Sequence, residues 1–450
     1  MASALQDIRR IVNLAAPVLV GQLALVAFGV IDTVMSGRVS AADLAAVGLA
    51  SSIYVTIYIS LMGVLQALSP IAAQLYGANR LHEIGVEVRQ AAWLGLALAV
   101  PGMLLLLYPG PLLRFAQAPP ELVDKATHYL HIVAFGLPAA LGFRIYQALN
   151  NALSRPIMVT ALQLIGLALK IPLNAWFIHG GYGVAPLGGP GCALASIIVS
   201  YLWCVIAVLI LRFDRRYAAL AIFSVCERPR WGRIRAQLRL GVPMGLTYLI
   251  EITSFTLMSV FITRLGLTTL AGHQIIANLG AVAYMMPLSL AIATSTLAAQ
   301  SLGARDRAAA RRISWRGIRF AAGIAVVVGS ILWVTREPLL HLYAKDPAVV
   351  AKALPLMAYI ACYQAFDAVQ VMTAFILRAY KIALIPTLIY ATSLWGVGLG
   401  GGYVLGFGLI DGMPAFTRGA AGFWLANSVS LAIAGGLLVR YFMLVSQRDD

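Results

Sequence analysis

The chain has 450 residues, 61% of them hydrophobic and only 11% charged, with a formal net charge of +16. Soluble globular chains carry about 25% charged residues, so this composition excludes a soluble protein and marks an integral membrane one. Apolar stretches long enough to cross about 30 Å of hydrocarbon recur along the whole length and predict an all-α membrane protein.

Twelve spans are predicted, over about 11–35, 44–68, 89–110, 127–149, 157–178, 191–212, 240–263, 270–297, 315–334, 350–376, 383–407 and 420–444. The first follows M-A-S-A-L-Q-D-I-R-R and stays apolar for about 25 residues, longer than the roughly 7–15 of a signal h-region. It is therefore expected to remain in the mature protein. Asp32 lies near its end. The fifth span carries Lys170 and Asn174, the seventh Glu251 and the tenth Asp367. Each acid in a span costs roughly 2.5–3.5 kcal/mol on insertion scales, and intramembrane acids are functional by default. Acids retained at that cost are expected to handle a cation or a proton. Pro17, Pro138, Pro243 and Pro287 fall inside spans and are candidate hinges.

The loops exclude other chemistries. The longest interval, about 213–239, is rich in arginine and too short for a catalytic domain. No H-E-x-x-H, G-x-x-x-x-G-K-[ST] or aqueous G-x-S-x-G is present, so no enzyme and no ATP-driven pump is predicted. The run G-G-Y-G-V-A-P-L-G-G-P-G at 180–191 lacks a following Lys and reads as a turn. Cys192, Cys204, Cys226 and Cys362 have no C-x-x-C spacing and read as small packing residues.

With both termini inside, 24 of the 33 basic residues fall on inner loops and eight on outer ones, Lys170 being left within a span. That bias places both termini in the cytoplasm. The basic clusters alternate with spans and have no aromatic platform, so nucleic acid is not a predicted partner; orientation and contact with anionic lipid explain them.

An internal duplication emerges at an offset of 226. Ile8-Arg9 falls on Ile234-Arg235, Pro17 on Pro243, and A-A-Q-L-Y-G-A at 72–78 on A-A-Q-S-L-G-A at 298–304. Each half has six spans, an even number, so both enter the membrane in the same direction as parallel repeats. The predicted architecture is two pseudo-symmetric six-helix lobes. The N-terminal lobe is 1–225, with an inter-lobe cytoplasmic loop at about 213–239, and the C-terminal lobe is 226–450.

Several motifs carry a family resemblance. The paired A-Q-x-x-G-A ends of the second and eighth spans, D-T-V-M-S-G in the first and I-P-L-N-A-W in the fifth resemble the multidrug and toxic compound extrusion (MATE) transporters. E-I-T-S-F in the seventh, A-G-H-Q-I-I-A-N at the eighth, and Y-Q-A-F-D-A-V-Q with L-R-A-Y-K around the tenth resemble its NorM branch. The resemblance spans about residues 5–445. It implies two six-helix lobes in a V, exporting bulky, mostly cationic organic compounds and drugs against inward Na+ or H+ flow. A monomer in contact with lipid in a bacterial inner membrane is expected, with no cofactor beyond the coupling ion.

The residues supply a parallel reading. On the seventh span Thr247, Glu251, Ser254, Phe255 and Met258 recur at three- and four-residue steps and share a face. On the tenth, Tyr363, Asp367 and Gln370 do the same. Glu251, Asp367 and Tyr363 are the predicted C-lobe coupling site. Oxygen ligands suit a hard cation such as Na+; alternatively one acid stays protonated.

The resemblance makes Asp32 the acid of the N-terminal lobe, with Asn174 nearby. Lys170 stands four residues before Asn174 on the same helical face. Its ammonium is expected to pair with Asp32, the alternative being that Lys170 snorkels to an interface.

Phe255, Met258, Gln274, Asn278, Tyr284, Phe366 and Gln370 are candidates for the cargo cavity. Packing or helix–helix hydrogen bonding is the other reading for His273, Gln274 and Asn278. Arg144 and Arg378, in F-R-I-Y and L-R-A-Y, read as interface anchors. A lipid-linked oligosaccharide flippase of related plan is the alternative function. It would require several cavity bases where this chain has one.

Overall fold

The computed structural model describes residues 2–115, 119–181, 183, 185–225, 227–410, 412 and 414–447. Cys226 and Arg448 lie outside them. Twelve helices among the described residues are long and apolar enough to span a membrane. They are α1 (Leu5–Gly37), α2 (Ala41–Gly77), α3 (Leu81–Leu107), α4 (Pro120–Ala152), α5 (Pro156–His179), α6 (Gly191–Phe213), α7 (Trp231–Thr263), α8 (Leu267–Gly303), α9 (Arg307–Val334), α10 (Leu356–Ala379), α11 (Leu384–Gly406) and α12 (Ala420–Gln447).

All twelve predicted spans are present, but α3, α7 and α9 begin eight or nine residues earlier than their apolar runs. The added turns are rich in Arg, Gln and Glu, which hydropathy reads as loop although all are good helix formers. The starts are locally encoded: Asp306 accepts from Ala309 N at 2.8 Å to cap α9, and Ser40 caps α2. Within α11 the residues Ala391–Gly400 take a wider π-helical course. This glycine-rich stretch packs on α12.

Residues cluster into two compact units, 17–245 (unit A) and 1–16 with 246–450 (unit B). This differs from the predicted division at 225/226. The first turns of α1 belong with the second half, and α7 up to Gly245 belongs with the first.

Each unit is organised around its fourth span. In unit A the most buried helix is α4, packed by α2, α3 and α6. In unit B it is α10, packed by the repeat-equivalent α8, α9 and α12. Within unit A, α7 lies close to α2 through Gly241 and Gly245, a small-x-x-x-small pair. A Cβ at Gly245 would stand 2.7 Å from Ser60 O, and one at Gly241 would meet the Val64 carbonyl.

Two charge clusters pin the starts of α1 and α7. In unit B, Asp7 pairs with Arg312 at 3.3 Å and with Arg316, both on α9. In unit A, Arg233 pairs with Glu87 at 2.6 Å and Glu83 at 3.4 Å, both on α3, and Gln237 also donates to Glu87. Asp7 and Arg233 are 226 positions apart, so equivalent positions in the repeat carry opposite signs.

The connection between α6 and α7 docks on unit A. Arg89 of α3 donates to Ala221 O at 2.7 Å and pairs with Glu227 at 3.1 Å, and Trp93 donates to Glu227 O. Burial pushes Glu227 upward, but Arg89 and Arg230 outweigh it and hold the carboxyl below the ordinary glutamate range.

Candidate functional site

Unit B places its two acids on α7 and α10. Asp367 is buried, only 5% exposed, and among the described residues makes no hydrogen bond or ion pair. It lies within electrostatic range of Glu251, which is partly exposed and close to the Tyr390 hydroxyl. Tyr363, one turn before Asp367, is buried edge-on against Phe255 and Trp424, with ring centroids 6.4 and 5.7 Å apart. One turn after Asp367 stands Gln370, 1% exposed, with neither end of its amide hydrogen-bonded. Two carboxylates, phenols and an unengaged amide oxygen form an oxygen-rich set of the kind hard monovalent cations take.

The predicted coupling residues thus share one locality. The predicted cavity residues are more scattered. Phe366 is exposed, Phe255 and Tyr284 are partly exposed, and Met258 is buried. Gln274 and Asn278 are exposed, with Asn278 turned back to donate to Gln274 O at 2.9 Å. His273 is fully buried: Trp424 Nε1 donates to its Nδ1 at 3.2 Å, leaving Nε2 to donate to Ser259 Oγ at 2.9 Å. Helix–helix hydrogen bonding, not a cavity lining, accounts for that histidine. Thr247 and Thr387 share a buried hydrogen bond of 2.9 Å.

Arg378 corrects the interface-anchor reading. It is 5% exposed, donates to the Tyr248 hydroxyl at 3.3 Å, lies over Phe375 at 4.3 Å, and is within electrostatic range of Glu251. The signal was available: the steps of four and three linking Tyr363, Asp367 and Gln370 continue through Ala374 to Arg378. Arg144 is also more than an anchor, donating to the Tyr58 hydroxyl and to Gln147 Oε1, each at 2.6 Å.

The pocket of unit A is built from three helices, each supplying a pair of residues one turn apart. Phe28 and Asp32 come from α1, Lys170 and Asn174 from α5, and Cys192 and Ser196 from α6. Lys170 is fully buried, and its ammonium lies 3.0 Å from Asp32 Oδ1. It also donates to Cys192 O at 3.2 Å and to Ser196 Oγ, and sits 4.2 Å from the centre of the Phe28 ring. Asn174 Nδ2 donates to the same Asp32 oxygen at 2.8 Å, while Asn174 Oδ1 is buried without a partner. Behind the pocket, Trp203 stacks on Phe143 with centroids 5.0 Å apart and contacts Phe28 at 5.6 Å. Lys170 does not snorkel.

A family model described as MatE matches residues 17–176 and 243–404, two segments whose starts are one repeat length apart. A probable multidrug resistance protein NorM of Aromatoleum aromaticum is 41% identical over 441 residues, 98% of this chain and 95% of its own length. The multidrug resistance protein NorM of Vibrio cholerae is 33% identical over 450 residues, 99% of this chain and 97% of its own. The crystal structure of a Vibrio cholerae MATE transporter in a bent form matches with a TM-score of 0.88 at 17% identity, covering all of this chain and 99% of that one. A eukaryotic MATE transporter matches equally, at 18% identity over 98% and 96%.

Proposed function

Since the chain belongs to the MatE family, and is therefore a membrane transporter and not an enzyme, we propose that it exports bulky, mostly cationic organic compounds such as drugs by alternating access, coupled to inward flow of Na+ or H+. The multidrug resistance relatives support the cargo class. The observation that carries the coupling reading is Asp367, a buried carboxylate that makes no hydrogen bond or ion pair among the described residues and lies within electrostatic range of Glu251. Two acids at such range in low dielectric repel strongly, and a cation or proton between them offsets that repulsion. Release of the ion restores the repulsion, so occupancy and conformation are linked. Tyr363 and Gln370 complete the oxygen set, while Arg378 and Tyr390 lie within electrostatic range of Glu251. The protein works as a monomer in the inner membrane of a bacterium, with both termini in the cytoplasm.

Everted vesicles given a fluorescent organic cation in the medium, on their outward cytoplasmic face, test this, with Na+ and proton gradients, high in the lumen, imposed separately. One of the two gradients is expected to drive transport, and Glu251→Gln or Asp367→Asn to abolish it. Transport indifferent to both gradients, or intact in both variants, overturns the coupling reading.

A further inference from the structure

We propose that Lys170 is the resident cation of the unit A pocket. Its ammonium fills an oxygen cradle that would otherwise bind a monovalent cation, so this pocket takes up no coupling ion. The inference rests on the coupling reading above for its consequence, that the ion exchanged per cycle is the one at Glu251 and Asp367. It rests on geometry alone for the site.

An ammonium carries three N–H donors and no acceptor. All three are used here, on Asp32 Oδ1, Cys192 O and Ser196 Oγ. A carboxylate, a main-chain carbonyl and a hydroxyl are the donor types that a bare monovalent cation would collect. Asn174 Oδ1, fully buried and without a partner, adjoins the cradle because its own amide nitrogen is bonded to Asp32. The Phe28 face closes the remaining side, and aromatic faces attract Na+, K+ and ammonium alike by their quadrupole. The charge on Asp32 is thus already neutralised by a group the chain cannot release. Among the described residues no base pairs with Asp367, which makes no hydrogen bond or ion pair there. The repeat enforces the difference: position 258, equivalent to Asp32, is Met, and position 25, equivalent to Glu251, is Leu.

Removing the side chain while keeping its cradle should uncover the cation site. In purified Lys170→Ala, ammonium, methylammonium, Na+ and K+ are titrated while thermal stability and calorimetric binding are followed. At least one of these ions is expected to bind and stabilise, at a concentration at least about tenfold below any effect on wild type. Adding Asp32→Asn is expected to remove the effect. No Asp32-dependent response in folded Lys170→Ala overturns the proposal. Should that variant fail to fold, the doubly neutral Asp32→Asn/Lys170→Met, which buries no lone charge, carries a second test. Its ion-to-cargo ratio, read from the reversal potential in proteoliposomes at whatever rate remains, is expected to equal that of wild type. A ratio lowered by one ion overturns the proposal. If instead Glu251→Gln leaves ion-driven transport intact, the coupling reading falls, while the gain of a site in Lys170→Ala is still read independently.

Discussion

Gly241 and Gly245 should be intolerant of a single methyl group. At Gly245 an added Cβ meets Ser60 O at 2.7 Å and Val64 Cγ2 at 3.1 Å, whereas ordinary contact begins at 3.4 Å. For Gly245→Ala, α7 and α2 must part by about 0.7 Å or the backbone must bend. Overpacking of this kind costs roughly 1–3 kcal/mol, against a gain of roughly 0.5–1 kcal/mol from replacing a helical glycine. The net loss is about 0–2.5 kcal/mol. Gly241→Ala lies at or above the upper end, because its Cβ would stand closer still to the Val64 carbonyl oxygen. In a unit of this size 1 kcal/mol moves Tm by roughly 2–4 °C. Gly241→Ala should therefore lower the melting temperature of detergent-purified protein by about 5–10 °C. Gly436→Ala is the control, since nothing lies within 4 Å of the added methyl; it should leave Tm unchanged or slightly raised. A Gly241→Ala protein as stable as the Gly436→Ala protein would show that the α7–α2 approach is not as close as described.

The Arg233 cluster and the α6–α7 connection give two further expectations. Arg233→Ala should cost about 1–3 kcal/mol, since it leaves Glu87 buried with Gln237 as its remaining partner, while the exposure of Arg233 itself keeps the figure below that of a fully buried pair. Arg233→Glu should cost more, and Glu83→Arg/Glu87→Arg in the same protein should recover most of the loss; a triple variant no better than the single refutes the pairing. Glu227 is held below the ordinary glutamate range, so its contribution to docking residues 214–230 is fully present above that range. It is lost as pH falls through the lowered value. Protease cleavage within 214–230 should rise over that acid window, and Arg89→Gln should abolish the pH dependence; cleavage flat with pH in the intact protein would count against the ion pair.

The spans, their number and their pairing into repeats were legible because apolar length and offset identity are one-dimensional signals. The three acids were legible because a charge in an apolar run is conspicuous. What could not be read is where helices stop belonging to one half of the chain and start belonging to the other. Nothing local marks Ala16 or Gly245 as boundaries, because the units are defined by packing. Arg378 was missed for a different reason. Its spacing from Asp367 fits the same face, but a base at a helix end is usually an anchor, and only burial shows that this one turns inward. Lys170 was readable through its register with Asn174, whereas Ser196 and Cys192 were not, since serine and cysteine in a span give no sign of what they touch.

The sign inversion between Asp7 and Arg233 has a consequence for assembly. Two halves that align without a gap over their first spans present the folding chain with a choice, because the start of either α1 or α7 could lie against α3 or α9. Charge resolves it. A helix opening with aspartate finds arginines on α9 and would meet Glu83 and Glu87 on α3; one opening with arginine finds those glutamates and would meet Arg312 and Arg316 on α9. Four partner residues and two opposite letters therefore work as an address, directing each helix to one berth. A chain made of two identical halves could carry no such label.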